Sequence, residues 1–180
     1  MSDDLAVTLA AAARRAFTEA RRLRPDEVFY CYALYTDGVA SYIVPTCSGD
    51  RALRETAGQD PSAIEELRWS PCDSPYHELG AEEFAGVDRL LAARPDPYDE
   101  DEETEADVRF EACFQALASL DAEGFFGRGA ERDRVIVTVL QGDQGVASRL
   151  ANARRLNPPA AVERLADHLR LLEERWERLP

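Results

Sequence analysis

The stretch VFYCYALYTDGVASYIVPT, residues 28–46, decides the fold. Two runs rich in valine, isoleucine and tyrosine flank Asp37-Gly38, a dipeptide that tolerates positive φ at a tight hairpin turn. In the first run Val28, Tyr30, Tyr32 and Leu34 alternate with Phe29, Cys31, Ala33 and Tyr35. Both faces are apolar, which places that strand in a sheet interior, and the alternation puts Tyr30 and Tyr32 on one face. Pro45 cannot donate to a ladder, so the second strand ends there or lies at an edge.

Upstream, residues 3–23 carry Leu5, Leu9, Ala13, Ala16, Ala20 and Leu23 at spacings of three and four, predicting a helix that Pro25 stops. Downstream, residues 48–57 and 62–68 predict two short helices parted by Gly58 and Pro61. RWSPCDSPYHELG reads as an ordered loop, because Trp69 and Tyr76 are large enough to demand burial. Helical spacing returns over 81–94 through Phe84, Val87 and Leu91. The run DPYDEDEETEAD has almost nothing to bury and predicts a solvated, flexible acidic loop over about 96–104. It feeds a helix capped by Thr104 that buries Phe110, Cys113, Phe114, Leu117 and Leu120 and stops at Gly124.

GFFGRGAER reads as a loop with two apolar anchors, and RVIVTVLQ, residues 134–141, as a strand apolar on both faces. A helix over 143–156 ends at Asn157-Pro158, and a last helix over 159–177 has Val162, Leu165, Leu169, Leu172 and Trp176 along one seam. The order predicts a single acidic α+β domain over residues 1–180. A small, largely antiparallel sheet, made of the early hairpin and one late strand, is covered by several helices.

Charge bounds the partners. The 35 acidic residues against 21 basic ones leave a net charge of -14, which repels nucleic-acid phosphates and anionic membranes and attracts basic proteins. The expected partner is a basic protein, with no nucleic acid and no membrane. All 21 basic residues are arginine, which removes phosphate-loop, Schiff-base and kinase-type lysine chemistry. The N-terminus begins with Asp3 and Asp4 and its alanines are interrupted by Arg14 and Arg15, unlike a secretory leader. Cys31, Cys47, Cys72 and Cys113 form no CxxC pair, and a cytoplasmic address is expected.

No motif compels an enzyme. Asp99, Asp101 and Glu103 alternate as in a calcium loop, but Thr104 and Phe110 stand where glycine and glutamate are needed. Cys72 and His77 are the nearest approach to a nucleophile–base pair, with no orienting third group evident. No set of four soft ligands suggests a metal, and no cofactor is expected. Asp143 opens a helix after a strand, where it faces a cleft or caps the helix.

Trp69-Ser70, Tyr76-His77, Gly124-Phe125, Asp143 and Leu156-Asn157-Pro158 together resemble a bacterial family, the domain of unknown function 4303. The resemblance covers most of residues 5–175. Ser74-Pro75 stands where the family often has a second tryptophan. The family has no established activity, and its size and build are similar to those of SUKH-type bacterial immunity proteins.

The resulting expectation is a non-enzymatic protein-binding domain, immunity-like, that sequesters a basic toxin. Its candidate binding residues are Trp69, Tyr76, His77, Asp143 and the acidic run Asp99, Glu100, Asp101, Glu102 and Glu103. No catalytic residue is assigned. The alternative is an enzyme or small-ligand-binding domain with its site around the 69–77 loop and Asp143.

Overall fold

The computed structural model describes residues 2–99, 103–142 and 144–176, except the side chains of Ser2, Asp3, Pro71, Glu103, Thr104 and Trp176. Helix α1 (Ser2–Leu23) is followed by strands β1 (Phe29–Thr36) and β2 (Val44–Gly49), then by short helices α2 (Asp50–Ala57) and α3 (Pro61–Leu67). An ordered loop leads to α4 (Ala85–Ala92) and the long α5 (Glu103–Ala122). Strand β3 (Ile136–Gln141) and helices α6 (Val146–Leu156) and α7 (Pro159–Trp176) complete the chain.

The sheet runs β2-β1-β3, and its pairing corrects one expectation. β1 pairs antiparallel with β2, from Tyr35 opposite Val44 to Phe29 opposite Gly49, but pairs parallel with β3, from Cys31 beside Ile136 to Thr36 beside Gln141. The sheet is mixed, and "largely antiparallel" describes only half of it. A parallel neighbour needs a long crossover, and the helices between β2 and β3 supply it. A strand apolar on both faces, as β3 is, suits that parallel, doubly covered position.

Two layers of helix enclose the sheet. Tyr32, Leu34, Val137 and Val139 pack with Leu9, Ala13, Phe17, Cys113, Leu117 and Leu120 from α1 and α5. Tyr30, Cys31 and Ile136 pack on the opposite side with Trp69, Ala153, Leu165 and Leu169. Tyr30 and Tyr32 therefore do not share a face. The register shifts between Phe29 and Cys31, and that bulge turns Tyr30 toward the second cluster.

The turn differs too. Residues 37–43 separate β1 from β2, in place of a two-residue turn at Asp37-Gly38. The Asp37 carboxylate accepts from the Ser41 and Val39 amides and from the Ser41 hydroxyl, and Ala40, with φ 55°, takes the left-handed conformation. Leu23, expected on the buried face of α1, is 42% exposed, while Arg21 in the same turn packs on the Tyr32 and Phe125 rings. The acidic loop is shorter than expected, since α5 already begins at Glu103 and Thr104 lies inside it.

Both sheet edges are protected, as unpaired strand edges invite association. On β2 the Pro45 carbonyl points outward and accepts from the Glu78 amide at 3.0 Å, so the missing proline donor costs β1 nothing. On β3 the Asn157 side chain acts as a strand would: Oδ1 accepts from the Val137 amide at 2.8 Å and Nδ2 donates to the Val137 carbonyl at 2.6 Å. Asn152 donates to the Val139 carbonyl at 2.9 Å. Buried Arg132 clamps the same end, donating to Asp121, to the Val135 and Leu156 carbonyls and to Asn157.

Glu27 ties the entry of β1 to the start of α2. Its carboxylate accepts from the Arg51 and Ala52 amides and from the Tyr76 hydroxyl at 2.8–2.9 Å. A Cβ on Gly49 would lie only 2.3 Å from Glu27 Cδ, so a side chain at position 49 would displace the Glu27 carboxylate from these partners.

Replacing Asn157 with alanine strips both partners from the Val137 peptide groups. The expected cost is about 2–3 kcal/mol in chemical denaturation. An Asn157→Ala melt that overlays the parent would show that solvent serves the β3 edge equally well.

Candidate functional site

Two concavities flank the β1–β2 loop. The first is an acidic groove of about 400 Å³ lined by Ser41, Asp88, Leu91, Asp96, Pro97 and Tyr98, with Arg94 and Arg109 beneath. Tyr98 is 65% exposed, yet its hydroxyl donates to Asp37 at 2.6 Å and its amide to Asp96 at 3.0 Å. Burial alone would raise the Asp37 pKa, but hydrogen bonds from Ser41 and Tyr98 outweigh it and hold the carboxyl below its ordinary value.

The arginines beneath the groove are fully occupied. Buried Arg109 donates to Glu105 at 2.8 Å and to the carbonyls of Ala40, Leu91 and Pro95. Arg94 meets the same Glu105 through both oxygens, at 2.5 and 2.9 Å. Their charge is spent on holding the 91–98 segment, and the groove rim stays acidic. A periodic signal for this existed: Arg109 stands four residues before buried Cys113, on the inner face of α5.

The second concavity is a crevice of about 200 Å³ at the carboxyl ends of β1 and β3. Tyr35, Trp69, Ser70, Cys72, Leu140, Gln144 and Arg149 line it. Trp69 is buried edge-on to Tyr30, with ring centroids 5.3 Å apart. Arg149, in the first turns of α6, donates to the Trp69 carbonyl. Nothing in its local pattern distinguishes it from other helix arginines.

The expected binding residues separate. Trp69 lines the crevice, and His77 lies just beyond it, its ring 5.3 Å from that of Tyr35. Tyr76 belongs to the opposite core, packed near Phe29 and bonded to Glu27. Asp99 is exposed beside the acidic groove, and Glu103 is the first residue of α5. Asp143, Glu100, Asp101 and Glu102 lie outside the described residues. The position capping α6 is Gly145, without a side-chain cap.

The crevice does not activate its thiol. Burial pushes the Cys72 thiol above its ordinary pKa, only partly offset by a hydrogen bond from Tyr35, and burial pushes Tyr35 up to about 12. A nucleophilic thiol needs the opposite shift. Cys31 and Cys113 are buried and pushed up to about 12 by the same cause, as inert core thiols are.

Truncating Trp69 to alanine opens a cavity between Tyr30 and α7, with an expected loss of about 3–5 kcal/mol in a denaturant titration. The Glu105 cluster adds a pH dependence. Burial would raise the Glu105 pKa, but Arg94 and Arg109 outweigh it and lower it. Its contribution is present above the unfolded value of about 4.3 and is lost as pH falls through the lower folded value. The stability gap between parent and Glu105→Gln should therefore be large near neutrality and shrink on acidification to about pH 3. A gap constant across that range would remove the ion cluster from the account.

No curated protein and no solved structure matches the chain. The family model for the domain of unknown function (DUF4303) matches residues 9–158, five-sixths of the sequence, and the chain belongs to that family.

Proposed function

We propose that this protein is a non-enzymatic binding domain that docks a basic protein on the groove beside Tyr98, in the manner of an immunity protein that sequesters a toxin. The observation that carries the reading is an exposed aromatic ring set among carboxylates: Tyr98 held by Asp37 and Asp96, with Asp88 on the groove wall. Tyrosines are among the side chains that dominate protein interfaces, and the acidic rim selects arginine- or lysine-bearing partners. In the sequence the acidic run 99–103 follows Tyr98 directly and adds charge of the same sign. A net charge of -14 speeds the approach of such a partner over long range. The likeness to SUKH-type immunity proteins belongs to this proposal, as does a cytoplasmic site of action.

The partner is sought by co-purification from native lysate and then measured as a purified pair. Tyr98→Ala is expected to weaken binding by about tenfold or more, chiefly through faster dissociation. Asp88→Asn with Asp96→Asn is expected to slow association and flatten its salt dependence. A purified partner whose association is indifferent to these changes and to salt would move the interface elsewhere on the surface.

A further inference from the structure

We propose that the crevice between Trp69 and Arg149 is a binding site for a small organic carboxylate with a hydrogen-bond donor beside its carboxyl group, as in a 2-hydroxy acid. This site is separate from the acidic groove and goes beyond the protein-docking reading.

Its position follows the logic of open sheets. Tyr35 and Leu140 close the carboxyl ends of the parallel pair β1–β3, the place where such sheets expose a crevice to ligands. Helix α6 starts beside it, and its 11 residues begin at a Gly145 cap that offers no side-chain acceptor. The positive end of that helix favours an anion.

The side chains are more specific than the backbone. In a chain with 35 acidic residues, Arg149 makes no ion pair among the described residues; it donates to the Trp69 carbonyl. Burial lowers its pKa, so the charge is held there at a cost that a bound anion relieves. The Trp69 indole is 7% exposed and its Nε1–H is buried without a partner. Gln144 donates through Nε2 to Ser148 at 2.9 Å, while its Oε1 is buried with nothing to accept from. Buried polar groups are rarely left unmet, and two of the three among the described residues line this crevice. The third, His77 Nδ1, belongs to the ring that packs edge-on to Tyr35.

These groups define the ligand. The guanidinium fork donates to a carboxylate, and the indole N–H and Gln144 Oε1, both closed off from solvent, meet the ligand on a small rotation of their side chains. Gln144 Oε1 requires a donor from the ligand, which a neighbouring hydroxyl supplies. Leu140 and the Tyr35 ring form the apolar wall, and about 200 Å³ admits only a few carbons.

The test uses lactate, propionate and inorganic phosphate as probes of the full chain, followed through the indole N–H signals in a nitrogen-15 NMR titration. Trp69 and Trp176 are the two tryptophans, so a Trp176→Phe variant assigns the Trp69 signal. Lactate is expected to shift that signal saturably and about tenfold more tightly than propionate, which lacks the hydroxyl. Arg149→Gln should abolish the lactate effect. Because Arg149 also holds the Trp69 carbonyl, Gln144→Leu provides an independent arm. It should leave carboxylate binding intact while erasing the preference for lactate over propionate. A Trp69 signal unmoved by lactate at about 50 mM, a tighter response to phosphate, or an unchanged preference in Gln144→Leu would overturn the proposal. None of these outcomes bears on the docking groove, whose variants are read on a separate partner.

Discussion

β1 is the constraint on which the rest depends. It alone is hydrogen-bonded on both edges, to β2 and to β3, and its central residues Cys31–Leu34 are buried on both faces. Every other element is placed relative to it. The bulge at Tyr30 lets one strand serve two cores at its entry, sending Tyr30 toward Trp69 and Tyr32 toward Phe17 and Phe126. Glu27, just ahead of the strand, links that entry to α2 and to the 69–80 loop through Tyr76.

The absence of lysine acquires a structural meaning. Arg109 and Arg132 are almost wholly buried, and each uses its planar fork to satisfy several carbonyls and a carboxylate at once. An ammonium with three donors at a point does not reproduce that geometry. Cations spent inside the fold cannot neutralise the surface. The acidic excess is therefore concentrated outside, Glu105 being the one buried carboxylate among the described residues.

The β1–β2 loop lies between the two concavities. Asp37 orients Tyr98 on one side, while Tyr42 and Tyr35, with centroids 6.4 Å apart, stand toward the other. Thr36 donates to the Tyr42 carbonyl and fixes the loop against the strand that carries Tyr35. A segment that resembles a simple turn in one dimension is thus the wall between a groove of carboxylates and a crevice of unmet polar groups.

Local pattern alone determined the helices of the first and last thirds, the position of β1 and β3, the burial of Trp69 and Tyr76, and the acidic balance. Each rests on periodicity or on side-chain size, which neighbours along the chain carry. Tertiary structure decided the rest. The direction of β3 depends on where the crossover returns, a property of no single segment. The bulge at Tyr30 depends on register against β2, and alternation within one strand does not encode it. Trp69 and Tyr76, close in the loop, fall on opposite sides of the sheet because the loop passes along the β2 edge between them. Arg149 and Trp69 lie 80 positions apart, and only the packing of α6 against the sheet brings their chemistry to one crevice.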